Sequence, residues 1–268
     1  MVPSTPRAIS LGEPLGVPPF ALGADEVHLW CTDPAAVAAP AHLAACEALL
    51  GDDERQRRDA FVLPTGRHEQ LVTRALLRTL LGRYLGVAPT ALRFAPNAWG
   101  RPELVWPARA PVAFNLAHAR GLVVCLLAAA HDGRAVGVDV ENVVRRTPPL
   151  HVADHFFAPA EVEALAARPP DARGRRFFEL WTLKESYIKA RGMGLAIPLD
   201  GFAFELDASP AIRIDLRPDV GSDAGAWRFR LHEPTPEHLV AIAVRDARGR
   251  DLELRVAHGA PLAGPLAV

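Results

Sequence analysis

The stretch FFELWTLKESYIKARGMGL, at residues 177–195, places the tightest limit on how this chain folds. Phe177, Leu180, Trp181 and Ile188 recur at helical spacing, which predicts one amphipathic helix with a face packed on a sheet or on another helix. Gly192 and Gly194 supply its stop. Glu185 and Lys189 stand four residues apart beside the apolar face, where they read either as an exposed ion pair or as site residues. In the second reading Lys184 and Lys189 neutralise phosphate charge, as point charges on flexible stems.

A second stretch, GVDVE at 137–141, predicts a strand whose valines face one way while Asp139 and Glu141 face the other. Two carboxylates on one face repel unless one is protonated or a cation lies between them. Either that face is solvated, or it is one side of a cation site. With Glu185 added, three oxygen donors suit magnesium, which accepts a few carboxylates and keeps positions for water and substrate phosphates.

Alternation predicts strands over 26–32, 92–94, 112–118, 122–129 and 135–141, the last two paired as a hairpin through HDGR. Further strands are expected over 201–206, 211–216, 227–231, 239–245 and 252–256. Helices are expected over 35–50, from 51 into a basic run RQRR, over 67–85 after a break at Pro64, and near 151–157 and 159–167. Residues 66–94 and 174–204 share a plan of Gly-Arg, long helix, Leu and Gly, Pro and short strand, which suggests two similar halves. The division is a lead-in over 1–24, an N-terminal α+β half over 25–133, a C-terminal α+β half over 134–257 and a loose tail over 258–268.

A formal charge of −1 over 268 residues gives no argument for nucleic acid as a partner. The most apolar run, 122–130, is far shorter than the roughly 20 residues of a spanning helix, so no membrane association is expected. Cys31, Cys46 and Cys125 are few, odd in number and far apart, which points to a reducing cytoplasm. Walker, dinucleotide-binding and hydrolase-elbow glycine motifs are all missing.

Other polar positions carry two readings. His118 follows a strand beside Asn115 and is expected in a polar turn, with Gly100, Arg101 and Pro102 upstream and Arg57, Arg58 and Arg67 further back. These cations either surround an anion or lie on solvated helix faces. Glu161 falls in the first turn of its helix, where the dipole favours a negative charge.

Taken in order, GRP at 100–102, FNLAH at 114–118, GVDVE at 137–141, FF at 156–157 with Glu161, and WTLKES at 181–186 with Lys189 resemble the 4′-phosphopantetheinyl transferases, most closely the surfactin-synthetase-activating type. The resemblance implies an α+β fold of two similar halves related by pseudo-two-fold symmetry, with coenzyme A in the cleft between them. It implies magnesium-dependent transfer of the phosphopantetheine arm to a serine of an apo acyl or peptidyl carrier protein, with release of adenosine 3′,5′-bisphosphate.

By motif, the resemblance makes Asp139, Glu141 and Glu185 the metal ligands and puts His118 and Lys189 on phosphates. It makes Gly100, Arg101 and Pro102 the lining of the adenine end, and Arg57 the cation for the 3′-phosphate. Arg67, Asn115, Ala117, Asp139 and Lys184 complete the expected cofactor contacts, and Glu161 or Glu185 would accept the serine proton. Ala117 replaces the serine of many relatives, and Glu54 and Gln70 replace a cation and a threonine of the best-known pattern. A monomer is expected, because a duplicated chain needs no partner to complete its cleft. The competing readings are a metal-dependent phosphodiesterase with the same carboxylates and a non-catalytic binder of coenzyme A or of carrier proteins.

Overall fold

A computed structural model of the chain describes residues 8–10, 21–131, 133–144, 148–207 and 211–262. Its strands and helices in chain order are β1 (Ala8–Ser10), β2 (Glu26–Thr32), α1 (Pro40–Leu49), α2 (Asp52–Asp59), α3 (Pro64–Leu85), β3 (Arg93–Pro96), β4 (Pro102–Trp106), β5 (Val112–Ala119) and β6 (Leu122–Ala129). There follow β7 (Ala135–Asn142), α4 (Ala153–Phe156), α5 (Pro159–Ala166), α6 (Pro170–Arg191), β8 (Phe202–Glu205), β9 (Arg213–Leu216), β10 (Trp227–Thr235), β11 (His238–Arg245) and β12 (Glu253–His258). The chain is thus a mixed helix-and-sheet protein. Among the described residues no helix is long and apolar enough to cross a membrane.

The described residues of Met1–Ala130 and Leu252–Val268 form one compact unit, and those of His131–Asp251 a second. The first unit is built on a sheet of order β1-β12-β2-β6-β5. Helix α3 buries Leu71, Leu76, Leu77, Leu80 and Leu81 in the same apolar cluster as Trp30 and Leu127 of that sheet. The break between α2 and α3 falls before Pro64, and α3 starts at that proline rather than at residue 67, because proline at the first position loses no intrahelical hydrogen bond. Pro40 starts α1 in the same way, later than the expected residue 35. The turn between β3 and β4 closes a ribbon: Asn97 Oδ1 accepts from Trp99 N and Arg101 N, and β4 returns antiparallel to β3.

Two strand assignments change. Strands β6 and β7 are not a hairpin: β6 pairs with β2 on one edge and β5 on the other, so neither edge is left for β7, which pairs with β11. Residues 253–257, placed by sequence in the second half, and His258, placed in the tail, form β12 parallel to β2 in the first unit, where Leu254, Val256 and Ala257 are buried. Most of the expected lead-in and residues 263–268 of the expected tail lie outside the described residues.

The second unit rests α6 on the antiparallel sheet β10-β11-β7. The helix begins at Pro170, earlier than its apolar pattern indicates, and ends where Gly192 turns left-handed at φ 68°. Phe177, Tyr187, Phe202 and Trp227 belong to one buried cluster, with Tyr187 packed on both Phe202 and Trp227 at ring separations of 4.8 Å. The helix touches β7 at Gly137, where a methyl group would overlap Ser186 O and Ala190 N and come within 2.9 Å of Ala190 Cα. Glycine is required because backbone meets backbone there.

Glu161 and Lys184, expected as a proton acceptor and a phosphate contact, instead hold this unit together. Lys184 Nζ lies 2.6 Å from Glu161 Oε2 and donates to Leu199 O at 2.8 Å and Phe202 O at 2.6 Å, which uses all three of its donors. Glu161 accepts from Ala158 N at 2.9 Å and Phe204 N at 2.8 Å. With exposures of 2% and 0%, neither reaches a solvent-borne substrate. Burial pushes the Glu161 carboxyl up and the Lys184 ammonium down, against their mutual attraction.

Gly137→Ala is expected to lower unfolding stability by roughly 3 kcal/mol, measured by urea denaturation, because helix and strand must separate to admit the methyl group. Lys184→Met, which leaves a buried carboxylate unpaired, is expected to cost about 3 to 5 kcal/mol in the same measurement. The double variant Glu161→Gln/Lys184→Met should regain part of that loss.

Candidate active site

The polar residues singled out by the sequence gather at two places, one in each unit. In the second unit, Gly137, Asp139 and Glu141 occupy alternate positions of β7, on the face that meets α6 at Gly137. The helix runs so that Ala190 abuts Gly137 while Lys189 Nζ donates to Asp139 Oδ1 at 2.6 Å. Glu185 lies one turn back and feels both Asp139 and Glu141 as like charges. Burial, then Asp139, push its carboxyl up to about 6; Lys189 opposes this and Glu141 adds to it.

Glu185 therefore lies within electrostatic range of the two strand carboxylates. Among the described residues no three His, Cys, Asp or Glu side chains stand as a ready-made metal cage. The residues nevertheless fit a divalent cation. Asp139 Oδ2 is a buried carboxylate oxygen without a hydrogen-bond donor, and the donor set is entirely oxygen, which suits a hard ion such as magnesium.

In the first unit an open pocket of about 200 Å³ is lined by Glu54 and Arg57 of α2, Gln70, Thr73 and Arg74 of α3, Arg101 and Pro102 at the turn into β4, and Phe114, Asn115 and Leu116 of β5. Arg101 Nη2 donates to Phe114 O at 3.1 Å and ties that turn to β5; burial pushes its guanidinium down from the usual value, against Glu103. Arg57 is about half exposed, 3.9 Å from Asp53.

Several expected residues stand outside this pocket. Gly100 shapes the turn, at φ 85° with its N–H on Asn97 O. Arg67 is exposed and its Nε donates to Phe61 O at 2.7 Å, because α3 begins before it and carries it to the outer face. Ala117 is buried on β5. His118 is exposed and still within the strand rather than in the turn after it, since the pairing with β6 runs on to Ala119.

The sequence reading missed Arg74, Thr73, Phe114 and Leu116 as lining residues. A signal was present for Arg74: it shares a helix face with Arg78, four residues on, and with Leu71 and Ala75, so two arginines lie where only apolar side chains are expected.

Comparison with known proteins agrees with the resemblance. The family model described as the 4′-phosphopantetheinyl transferase superfamily matches residues 135–243, which include the three carboxylates. The 4′-phosphopantetheinyl transferase HetI of Nostoc sp. (strain PCC 7120) is 33% identical over 231 residues, 85% of this chain and 91% of that protein. A 4′-phosphopantetheinyl transferase of Bacillus subtilis is 32% identical, over 63% of this chain and 72% of its own. The 4′-phosphopantetheinyl transferase Sfp of Bacillus subtilis (strain 168) is 29% identical over 207 residues, 72% of this chain and 86% of that protein. With the relative from Nostoc aligned over nearly its whole length, the chain belongs to the 4′-phosphopantetheinyl transferase superfamily.

Proposed function

We propose that this chain transfers the 4′-phosphopantetheine arm of coenzyme A to a serine hydroxyl of an apo carrier protein, with magnesium, and releases adenosine 3′,5′-bisphosphate. The observation that carries the reading is a buried oxygen of Asp139 left without a donor, on a strand whose Asp139 and Glu141 lie within electrostatic range of Glu185. Asp139, Glu141 and Glu185 would hold the metal, whose contribution when bound is to neutralise charge on the pyrophosphate oxygens.

Serine is a weak nucleophile until its proton is removed. Glu185 is the proposed acceptor, since a carboxyl raised to about 6 is more basic than an ordinary one and still ionised at neutral pH. Glu161, the other candidate from the sequence, is committed to Lys184. As the serine oxygen bonds to the β-phosphorus, the phosphoanhydride bond breaks and its electron pair leaves with adenosine 3′,5′-bisphosphate. Lys189 is the proposed cation for the phosphate, exchanging its bond to Asp139 for one to the substrate. His118 is a further phosphate contact in this reading, and Arg57, Arg101, Pro102 and Asn115 would receive the nucleotide in the pocket of the first unit.

A duplicated build is part of the proposal. Each unit has a 22-residue helix with proline near its start and a left-handed glycine after its end: α3 with Gly86 at φ 65° and α6 with Gly192 at φ 68°. Each helix packs on antiparallel strands. A monomer in a reducing cytoplasm completes the reading, and the three cysteines are buried free thiols.

Purified chain with coenzyme A, magnesium and a panel of apo carrier domains is expected to add one phosphopantetheine mass to a carrier serine, read by intact-protein mass spectrometry. Asp139→Ala or Glu185→Ala should slow this by about 100- to 1000-fold. No mass gain on any carrier, or nucleotide hydrolysis that ignores the carrier, would sink the reading.

Magnesium should raise the Tm, and Asp139→Asn should remove that rise. Because the metal competes with a proton at Glu185, the rise should shrink as pH falls from 7 to 5. Without metal the sign is opposite. The folded-state pKa of Glu185 lies above the ordinary 4.5, so stability is fully present below 4.5 and declines as pH climbs through about 6. Glu185→Gln should recover of order 1 kcal/mol at pH 8.

A further inference from the structure

In the wall of the pocket of the first unit lies a buried triad of one carboxylate and two guanidinium groups, of which Glu54 and Arg74 line the pocket. Glu54, 2% exposed, accepts from Gly51 N at 2.9 Å and Arg78 Nε at 2.6 Å on Oε2, and from Arg74 Nε at 2.7 Å on Oε1. Burial favours the neutral acid, but Arg74, the Gly51 N–H and Arg78 outweigh it and hold the carboxyl below the usual range. Arg78 completes its bonding with Pro89 O at 2.8 Å and Leu92 O at 3.2 Å, and it does not line the pocket. One anion against two cations leaves a single positive charge in excess, away from solvent screening.

That excess lies at Arg74, which lines the pocket although it is only 7% exposed. Its Nε and Nη2 face Glu54, and its guanidinium stacks over the Phe94 ring at 4.9 Å. Among the described residues Nη1 has no protein acceptor and is left for the pocket. A planar cation fixed on two sides loses little freedom when an anion arrives. Arg57 is a weaker candidate, half exposed and beside Asp53, and Arg101 already serves Phe114 O.

We propose that Arg74, oriented by Glu54 and Phe94, reads a nucleotide phosphomonoester in this pocket, with Glu54 as its positioning residue. The identity of the nucleotide rests on the transfer proposed above. Coenzyme A carries its negative charge on a pyrophosphate and on a 3′-phosphate. The pyrophosphate is assigned to the metal-binding carboxylates, so the 3′-phosphate, close to doubly charged at neutral pH, is the group left for a fixed cation. The carboxylate at position 54, where the best-known pattern of the family has a cation, is then no defect: the positive charge is supplied from α3 instead of α2.

The test is calorimetric titration of the full chain with adenosine 3′,5′-bisphosphate and with adenosine 5′-phosphate, neither of which needs a carrier or turnover. The bisphosphate is expected to bind roughly 10- to 100-fold tighter. Arg74→Met should bring the two within about threefold by weakening only the bisphosphate. A ratio that survives the substitution, or equal weakening of both nucleotides, overturns the proposal. If Arg74→Met does not fold, the neutral pair Glu54→Gln/Arg74→Gln is read the same way, and a surviving ratio again overturns it. In the transfer assay Arg74→Met should raise KM for coenzyme A, leave KM for dephospho-coenzyme A unchanged and spare kcat. A chain that prefers the bisphosphate yet modifies no carrier keeps the role of Arg74 and loses the proposed reaction. A chain that modifies carriers without that preference keeps the reaction and loses the role of Arg74.

Discussion

Contact between the backbone of α6 and Gly137 of β7 is the constraint from which the second unit takes its chemistry. A helix resting on ordinary side chains stands about 10 Å from a sheet, too far for short acids on each to share one ion. With no side chain at 137 the helix comes down onto the strand, and the next alternate positions, Asp139 and Glu141, come up beside the same turns. Lys189 bonds to Asp139 there, and Glu185 lies within electrostatic range of both acids. The site is thus a product of a missing Cβ as much as of the acids that flank it.

Charge burial is handled differently in the two units. Around Glu161 and Lys184, donors and acceptors are matched in number and the result is inert. Around Glu54 two guanidinium groups meet one carboxylate, and Glu185 feels Asp139 and Glu141 as like charges and Lys189 as an opposite one. Imbalance of either sign costs stability when water is excluded.

Much of this was legible in the sequence. The spacing in 177–195 gave the helix, and alternation in 137–141 put Asp139 and Glu141 on one face. What was not legible depended on distant partners. Lys184 and Lys189 look alike as letters, but five residues of helix turn them about 140° apart, one into the core against Glu161 and the other towards Asp139. Glu54 and Arg74 are twenty positions apart, and only the packing of α2 on α3 makes them one group. The hairpin expected of β6 and β7 failed for a similar reason, since strand patterns encode burial but not the neighbour.

The parallel pairing of β12 with β2 bears on how the polypeptide acquires its shape during synthesis. The second unit is one unbroken segment of chain, whereas the first draws strands from both sides of it. As the ribosome delivers residues in order, β2 acquires β6 early, but its other edge has no partner until residues 253–258 emerge. An unpaired strand edge is a site for pairing with other chains, so the nascent first unit is exposed to misassembly throughout translation of the second. Completion of the first unit is thereby deferred until the second has been made.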